Sequence, residues 1–424
     1  MNTYLQQRTL YAPLIANKVS INLGISVVIP AFDEPNLLFS LMNLARCELP
    51  LVDVEVIVVI NNSEQSSEEV KARNQAIFLQ ARDWAQANNQ ARLKFQLLYV
   101  PDFPAKSAGV GLARKIGMDE ACWRFMKIGN PKGIIACFDA DSRCDENYLC
   151  ALEAHFKVHP KSQACSIYFE HPTHGIDFPD SVYEAIIPYE LHLRYYIHAQ
   201  RLAGFPYAFH TVGSSMAVRC MAYQQQGGMN KRKAGEDFYF IHKFTPLGNF
   251  TECLTTKIIP SPRPSHRVPF GTGRAVQEIL NDEGTYLSYN LQSFLDLQVL
   301  FLQVDQLFSF SLLELEEFLA TLPESVRQFL LEMKFEEKWK EIKENTASLT
   351  AFRSRFFRWF NAFTLMKFVH YARDHFHPNV EVGEVAARLL AHQLGQAFEP
   401  KALKSLLKEY RFLDQQTFAA ADKG

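Results

Sequence analysis

Ile134-Ile135-Ala136-Cys137-Phe138-Asp139-Ala140-Asp141 is the stretch on which the fold turns: five apolar residues run directly into two carboxylates one position apart. A short apolar run of this kind is a buried strand. Such a strand gains nothing from carboxylates at its end unless something cationic meets them. Residues i and i+2 of an extended chain project to the same side, so Asp139 and Asp141 can converge. A hard divalent cation relieves their repulsion, and Mg²⁺ or Mn²⁺ held by few carboxylates fills its shell with phosphate oxygens and water. A strand-terminal Asx turn, with Asp145 capping the next helix, is the competing reading of this motif taken alone.

Outward from this motif, strands and helices alternate from Ile25 to about Pro260. Ile25–Ile29 is a β-branched run stopped by Pro30, and Asp33-Glu34-Pro35 then opens a helix. Val54–Ile60 reads as a second strand, followed by a helix with a Ser66–Glu69 capping box. Lys94–Val100 is a third strand, Ala108–Ile128 a helix, Ala164–Phe169 a further strand. A long helix follows Asp180, a strand lies near Val212–Val218, and a helix opens at Glu236-Asp237. This is α/β chemistry with a largely parallel sheet, in which ligands bind beyond the carboxyl ends of the strands. Past Gly271 helical periodicity dominates. The expected division is an N-terminal extension at 1–23, an α/β domain at 24–275 and a helical C-terminal domain at 276–424.

Composition narrows the function. A net charge of −2 lacks the basic footprint of a nucleic-acid binder. Eight scattered cysteines without CxxC spacing suit reduced, buried thiols in a cytoplasmic protein. No window reaches ~18 consecutive apolar residues, so a soluble chain is expected. The run Phe352-Arg353-Ser354-Arg355-Phe356-Phe357-Arg358-Trp359-Phe360 is cationic and aromatic, which admits peripheral membrane contact and a lipid-linked acceptor; a helix packed within the domain is the simpler reading.

Three further segments carry chemistry. Gly235-Glu236-Asp237 places carboxylates in a first helical turn, suited either to capping or to a general base. Ala105 to Lys115 sets small residues before a helix, exposing N–H groups to an anion, with Lys106 and Arg114 adding positive charge. Val27-Val28-Ile29-Pro30-Ala31-Phe32-Asp33-Glu34 turns at a strand end, offering backbone groups, an aromatic face and two carboxylates to a heterocycle.

Taken in order, VVIPAFDE (27–34), VEVIVVINNSE (54–64), GVGLARKIGMDEA (109–121), IIACFDADSRCDENYL (134–149), TVGSSMAVR (211–219) and GGMNKRKAGEDFYFIHKF (227–244) resemble the family 2 glycosyltransferases of GT-A fold. The resemblance covers roughly 24–275. It implies that Pro30, Ala31, Phe32 and Glu34 border the nucleotide base and ribose, with Asn61 and Asn62 also facing the base. Many members are acidic there, which leaves the base open between UDP- and GDP-sugars. Lys106, Arg114, Asp139 and Ala140 complete the nucleotide site; Lys115 stands where the family usually has Asn. Asp141 and Asp139 would hold Mn²⁺ or Mg²⁺, with His266 a further candidate ligand and Arg263, Arg267 and Arg274 flanking it. Asp237, beside Glu236, would be the catalytic base, and Thr211, Gly213 and Ser214 would shape the sugar pocket.

The implied reaction is inverting transfer of a sugar (a hexosyltransferase type) to a carbohydrate or other small hydroxylated acceptor. A nucleotidyltransferase is the nearest rival; the absence of glycine from Pro30–Asn36 counts against it. A catalytically silent nucleotide- or glycan-binding protein is the other, opposed by the intact Asp139, Asp141 and Asp237.

Overall fold

The computed structural model describes residues 3–265, 271–281, 286–397 and 399–416. They form two compact units, one from 1–172 with 211–274 and one from 173–210 with 275–424.

The first unit is built on an eight-stranded sheet. Its strands are β1 (Leu23–Ala31), β2 (Asp53–Ser63), β3 (Leu93–Phe103), β4 (Ile134–Cys137), β5 (Arg143–Cys144), β6 (Ala164–Phe169), β7 (Met216–Arg219) and β8 (Phe250–Ile259). The order is β3-β2-β1-β4-β7-β6-β8-β5. The run β3-β2-β1-β4 is parallel, β7 lies antiparallel between β4 and β6, and β6 pairs parallel with β8. Every residue of β1 and β4 is buried, which is why both read as unbroken apolar runs rather than as alternation. Helices α1 (Thr3–Gln7), α2 (Leu37–Ala45), α3 (Glu68–Asn88), α4 (Val110–Lys127), α5 (Tyr148–Val158), α7 (Cys220–Gln225) and α8 (Glu236–Ile241) complete the unit; α6 (Asp180–Leu202) belongs to the second.

Three helix starts differ from the sequence reading. Ser67, not Ser66, caps α3, its hydroxyl accepting the Val70 N–H at 3.4 Å. Asp33 sits in the left-handed region at φ 49°, so the chain turns once more before α2 begins at Leu37. Asp145 precedes α5 by a turn, and Asn147 is the residue before its first.

Helix α4 is the spine of this unit. Arg114, Lys115, Asp119, Glu120 and Arg124 are all buried on it, an arrangement tolerable only when each charge is matched. Lys115 pairs with Asp119 at 2.9 Å, and Asp119 accepts the hydroxyls of Tyr4 and Tyr223, each at 2.8 Å. Glu120 accepts the Leu14 and Ile15 N–H groups at 2.8 and 3.2 Å. Arg124 forks onto both oxygens of buried Glu55 on β2 and donates to the Asn17 carbonyl. The N-terminal segment is thus the partner of a charged helix face. Lys115 takes its role from Asp119 and Tyr4.

The second unit contains α6, α9 (Thr272–Asn281), α10 (Leu291–Phe301), α11 (Leu312–Thr321), α12 (Glu324–Glu332), α13 (Phe335–Glu344), α14 (Leu349–Trp359), α15 (Ala362–His375), α16 (Val382–Leu394) and α17 (Leu403–Gln416). A two-residue antiparallel pair, β9 (Leu287–Ser288) with β10 (Val380–Glu381), joins them. The aromatic run on α14 faces inward: Phe352, Phe356, Phe357 and Phe360 are buried, and Phe357 and Phe360 pack on Phe301. Those rings are core, which leaves Arg355 and Arg358 to the surface. Among the described residues no helix is long and apolar enough to cross a membrane.

Replacing Arg124 by Met strands the Glu55 carboxylate in the core. The expected cost is about 3–5 kcal/mol, read as a lowered calorimetric melting temperature, and Glu55→Gln in the same chain should recover part of it. An unchanged melting temperature for Arg124→Met would refute the pairing.

Candidate functional site

Because β1, β2 and β4 run parallel side by side, their carboxyl ends open on one edge, and the loops leaving them meet there. Pro30 and Ala31 are buried at the end of β1, while Phe32 is 37% exposed. Asn61 donates its amide to the Ala31 carbonyl at 3.0 Å, fastening the end of β2 to that of β1. Asn62 is buried as well; its Oδ1 accepts the Tyr99 hydroxyl at 3.3 Å, and its Nδ2 has no hydrogen-bond partner among the described residues.

The acidic motif leaves β4 in a turn closed by Ser142 N–H on the Asp139 carbonyl, at 3.1 Å. Its two carboxylates have different partners. Asp139 accepts from Arg114 Nη2 at 2.5 Å, and Asp141 lies 3.4 Å from Arg263 Nη2. The same Arg263 nitrogen contacts Glu34, which is buried behind Phe32 and Asp33 in sequence. Asp33 in turn is held bidentately by Arg73 at 2.8 and 2.9 Å. Asp33, Pro35, Arg73, Ile77, Arg263, Pro264 and Ser265 line a surface cleft of about 380 Å³.

Arg114 ties the two acidic segments together. Its Nη1 contacts Glu236 and its Nη2 contacts Asp139, so one guanidinium joins the end of β4 to the start of α8. Burial would discharge it, but the two carboxylates more than compensate and hold it firmly charged. Gly213 permits this: a β-carbon there would lie 2.5 Å from Arg114 Nη1. Gly111 likewise lets α4 approach the segment before α8, since its β-carbon would fall 2.4 Å from the Arg232 carbonyl oxygen. The small residues opening α4 therefore pack against protein backbone, and Lys106 stands exposed in the preceding loop. Ser214 is buried beside Ser215, their hydroxyls 3.4 Å apart, and Thr211 is half-buried.

Glu236 and Asp237 are not equivalent. Glu236 is buried and spent on Arg114. Asp237 accepts only the Phe238 N–H, at 2.7 Å, among the described residues. Desolvation, then the neighbouring Glu236 and Asp139 charges, push its carboxyl up to about 7 against the pull of Arg114. A carboxylate so tuned can exchange a proton near neutrality.

One set of residues escaped the sequence reading. Ser40 and Asn43 sit at i and i+3 on α2, Cys47 lies two residues past its end, and all three contact the acidic loop. The Ser40 hydroxyl lies 2.9 Å from the Ala140 carbonyl and 2.8 Å from that of Ser142. Asn43 pairs with Cys144 like a strand neighbour, accepting its N–H at 2.7 Å and donating to its carbonyl at 3.2 Å. Cys47 Sγ rests 3.6 Å from Cys144 Sγ. The available signal was two polar residues, Ser40 and Asn43, at helical spacing on an otherwise apolar helix.

Fitness for a metal follows from the donor set. Among the described residues no group of three or more His, Cys, Asp or Glu side chains is placed to hold a cation by itself. Asp141, with its neighbour Asp139 engaged by Arg114, suits a hard cation that takes most of its ligands from phosphate and water. Mg²⁺ or Mn²⁺ fits in that open form. His266 lies outside the described residues, as does Arg267.

No protein-family model matches the chain, and neither does any curated protein. Among solved structures, similarity extends to S. aureus TarS 1–349 in complex with UDP-GlcNAc, at 14% identity, 80% of this chain, 92% of that chain and a TM-score of 0.41. S. aureus TarS 1–349 in complex with UDP is 14% identical over 89% of this chain and 93% of that one, with a TM-score of 0.39. S. aureus TarS itself is 15% identical over 76% and 55% respectively, also at 0.39. Likeness at this level brings no function with it.

Gly213→Ala forces the Arg114 guanidinium aside. It should destabilise the chain by about 1–3 kcal/mol, as overpacking does, visible as an earlier thermal transition. Asn43→Ala should cost about 1–2 kcal/mol, because the Cys144 N–H loses its acceptor. Thermal transitions matching the parent's would show that these contacts do not hold the loop.

Proposed function

We propose that the chain is a glycosyltransferase of GT-A type that moves a sugar from a UDP- or GDP-sugar to an acceptor hydroxyl, with inversion at the anomeric carbon. The observation that carries this reading is the Arg114 bridge, which brings the acidic motif at the end of β4 beside the carboxylates that open α8. Such a juxtaposition supports a diphosphate site next to a general base.

In this reading the base and ribose lie over Pro30, Ala31, Phe32 and Glu34, and the unpartnered Asn62 Nδ2 donates to a base carbonyl. Asp141, with Asp139 beside it, would hold Mn²⁺ or Mg²⁺, which supplies Lewis acidity toward the leaving diphosphate. Arg114 holds Asp139 and Glu236 in fixed positions, so these groups need no reorganisation as charge develops. Arg263, exchanging part of its contact with Glu34 and Asp141 for phosphate oxygens, would add positive charge at the leaving group. Asp237 takes the acceptor proton as the oxygen attacks the face opposite the diphosphate. Glu236, neutralised by Arg114, acts as a support rather than as the base. Thr211, Gly213 and Ser214 border the sugar.

A thermal-shift panel of UDP, GDP, UDP-GlcNAc and GDP-mannose, each with and without Mn²⁺, tests the binding half. One nucleotide class should raise the melting temperature in a Mn²⁺-dependent way, and the shift should vanish in Asp141→Ala. No shift with folded protein would defeat the proposal.

Kinetics test the other half. A base must be deprotonated, and Asp237 is protonated below about 7, so kcat/KM should climb as pH rises through that value and level off above it. Asp237→Asn should lose at least about 100-fold in kcat while keeping donor binding. Retained turnover in that variant would remove Asp237 from the mechanism.

A further inference from the structure

We infer that the second unit carries a binding shelf for uncharged carbohydrate, formed by Tyr189, His192 and Tyr196 of α6 with Tyr286, Tyr289 and His370. The spacings of three and four residues place the α6 members on one helix face. All six side chains are half-buried, whereas Tyr195 and Phe294 beneath them are fully covered. The rings are contiguous: Tyr189–Tyr286 centroids lie 6.0 Å apart, His192–Tyr286 5.3 Å, Tyr196–Tyr289 5.5 Å and Tyr289–His370 5.7 Å.

The shelf is also held in place. The Tyr195 hydroxyl donates to the Tyr289 carbonyl at 2.8 Å, His192 Nδ1 lies 2.8 Å from the Ser288 hydroxyl, and the Tyr289 hydroxyl lies 2.9 Å from His370 Nε2. The Tyr196 hydroxyl, by contrast, has no hydrogen-bond partner among the described residues. Rigid aromatic faces with polar edges match a ligand that is apolar on its ring faces and hydroxylated on its rim, which is the chemistry of a sugar. Charge argues for a neutral one. The six side chains include no carboxylate or ammonium, Arg373 nearby is paired with Asp374 at 2.7 Å, and the Glu278 carboxylate that acts on Tyr286 disfavours an anionic sugar.

Binding itself stands apart from the transferase proposal; only the role of the bound sugar as acceptor rests on that reading. The test screens the full chain on a printed array of neutral oligosaccharides and follows the best binder by calorimetry. Tyr196→Ala and Tyr289→Ala should each weaken binding at least tenfold, and Tyr196→Phe about threefold or less, with far-UV circular dichroism unchanged. The Mn²⁺-dependent nucleotide shift should persist in all three, because that site lies in the first unit. Glycan binding without any nucleotide shift would leave the shelf standing and sink the transferase. Absence of binding to every neutral glycan, or equal binding by the two alanine variants, would overturn the shelf, as would preference for an isoprenoid or detergent micelle.

Discussion

One buried guanidinium sets the terms for the first unit. Arg114 is 3% exposed and sits between two carboxylates from segments nearly a hundred positions apart. A cation in that position is costly without both partners, so the end of β4 and the start of α8 cannot separate while the fold persists. Gly213 and Gly111 follow from the same constraint, because side chains at either place would occupy the space that the pairing needs. The raised Asp237 carboxyl follows too: its neighbours are an acidic residue already claimed by Arg114 and a desolvating surround.

The second constraint is the grip of α2 on the acidic loop. The helix begins just after the loop leaving β1 and ends on Cys144, so both strand-end loops hang from one rigid rod. Hydrogen bonds to backbone carbonyls and N–H groups fix the loop without using its side chains, and so the carboxylates of Asp139 and Asp141 can pair with Arg114 and Arg263. Rigid support through the backbone is what a preorganised charged site requires.

Much of this is legible in the sequence, for definable reasons. The strands β1 and β4 are buried on both faces, which makes them continuous apolar runs, and the carboxylates at 139 and 141 stand out against such a run. The antiparallel insertion of β7 between β4 and β6 left no local trace, because pairing partners are chosen by tertiary contact. Glu236 and Asp237 look alike in sequence; only the reach of Arg114 tells them apart. The glycines of 109–111 read as an anion cradle but pack on the 230–233 backbone, since periodicity reports that a face is small without saying what approaches it. For the same reason α6 shows that one of its faces must be covered and not which unit covers it.

The N-terminal segment has a bearing on how the chain comes together in time. Tyr4, Leu14, Ile15 and Asn17 are made before their partners Asp119, Glu120 and Arg124, which lie about a hundred residues later. During synthesis these α4 contacts cannot form until β1, β2, β3 and α4 have all emerged. The helix, for its part, carries acidic groups that want those hydroxyls and N–H donors before they can be buried. The segment can therefore close over α4 only once the chain has been made past Arg124.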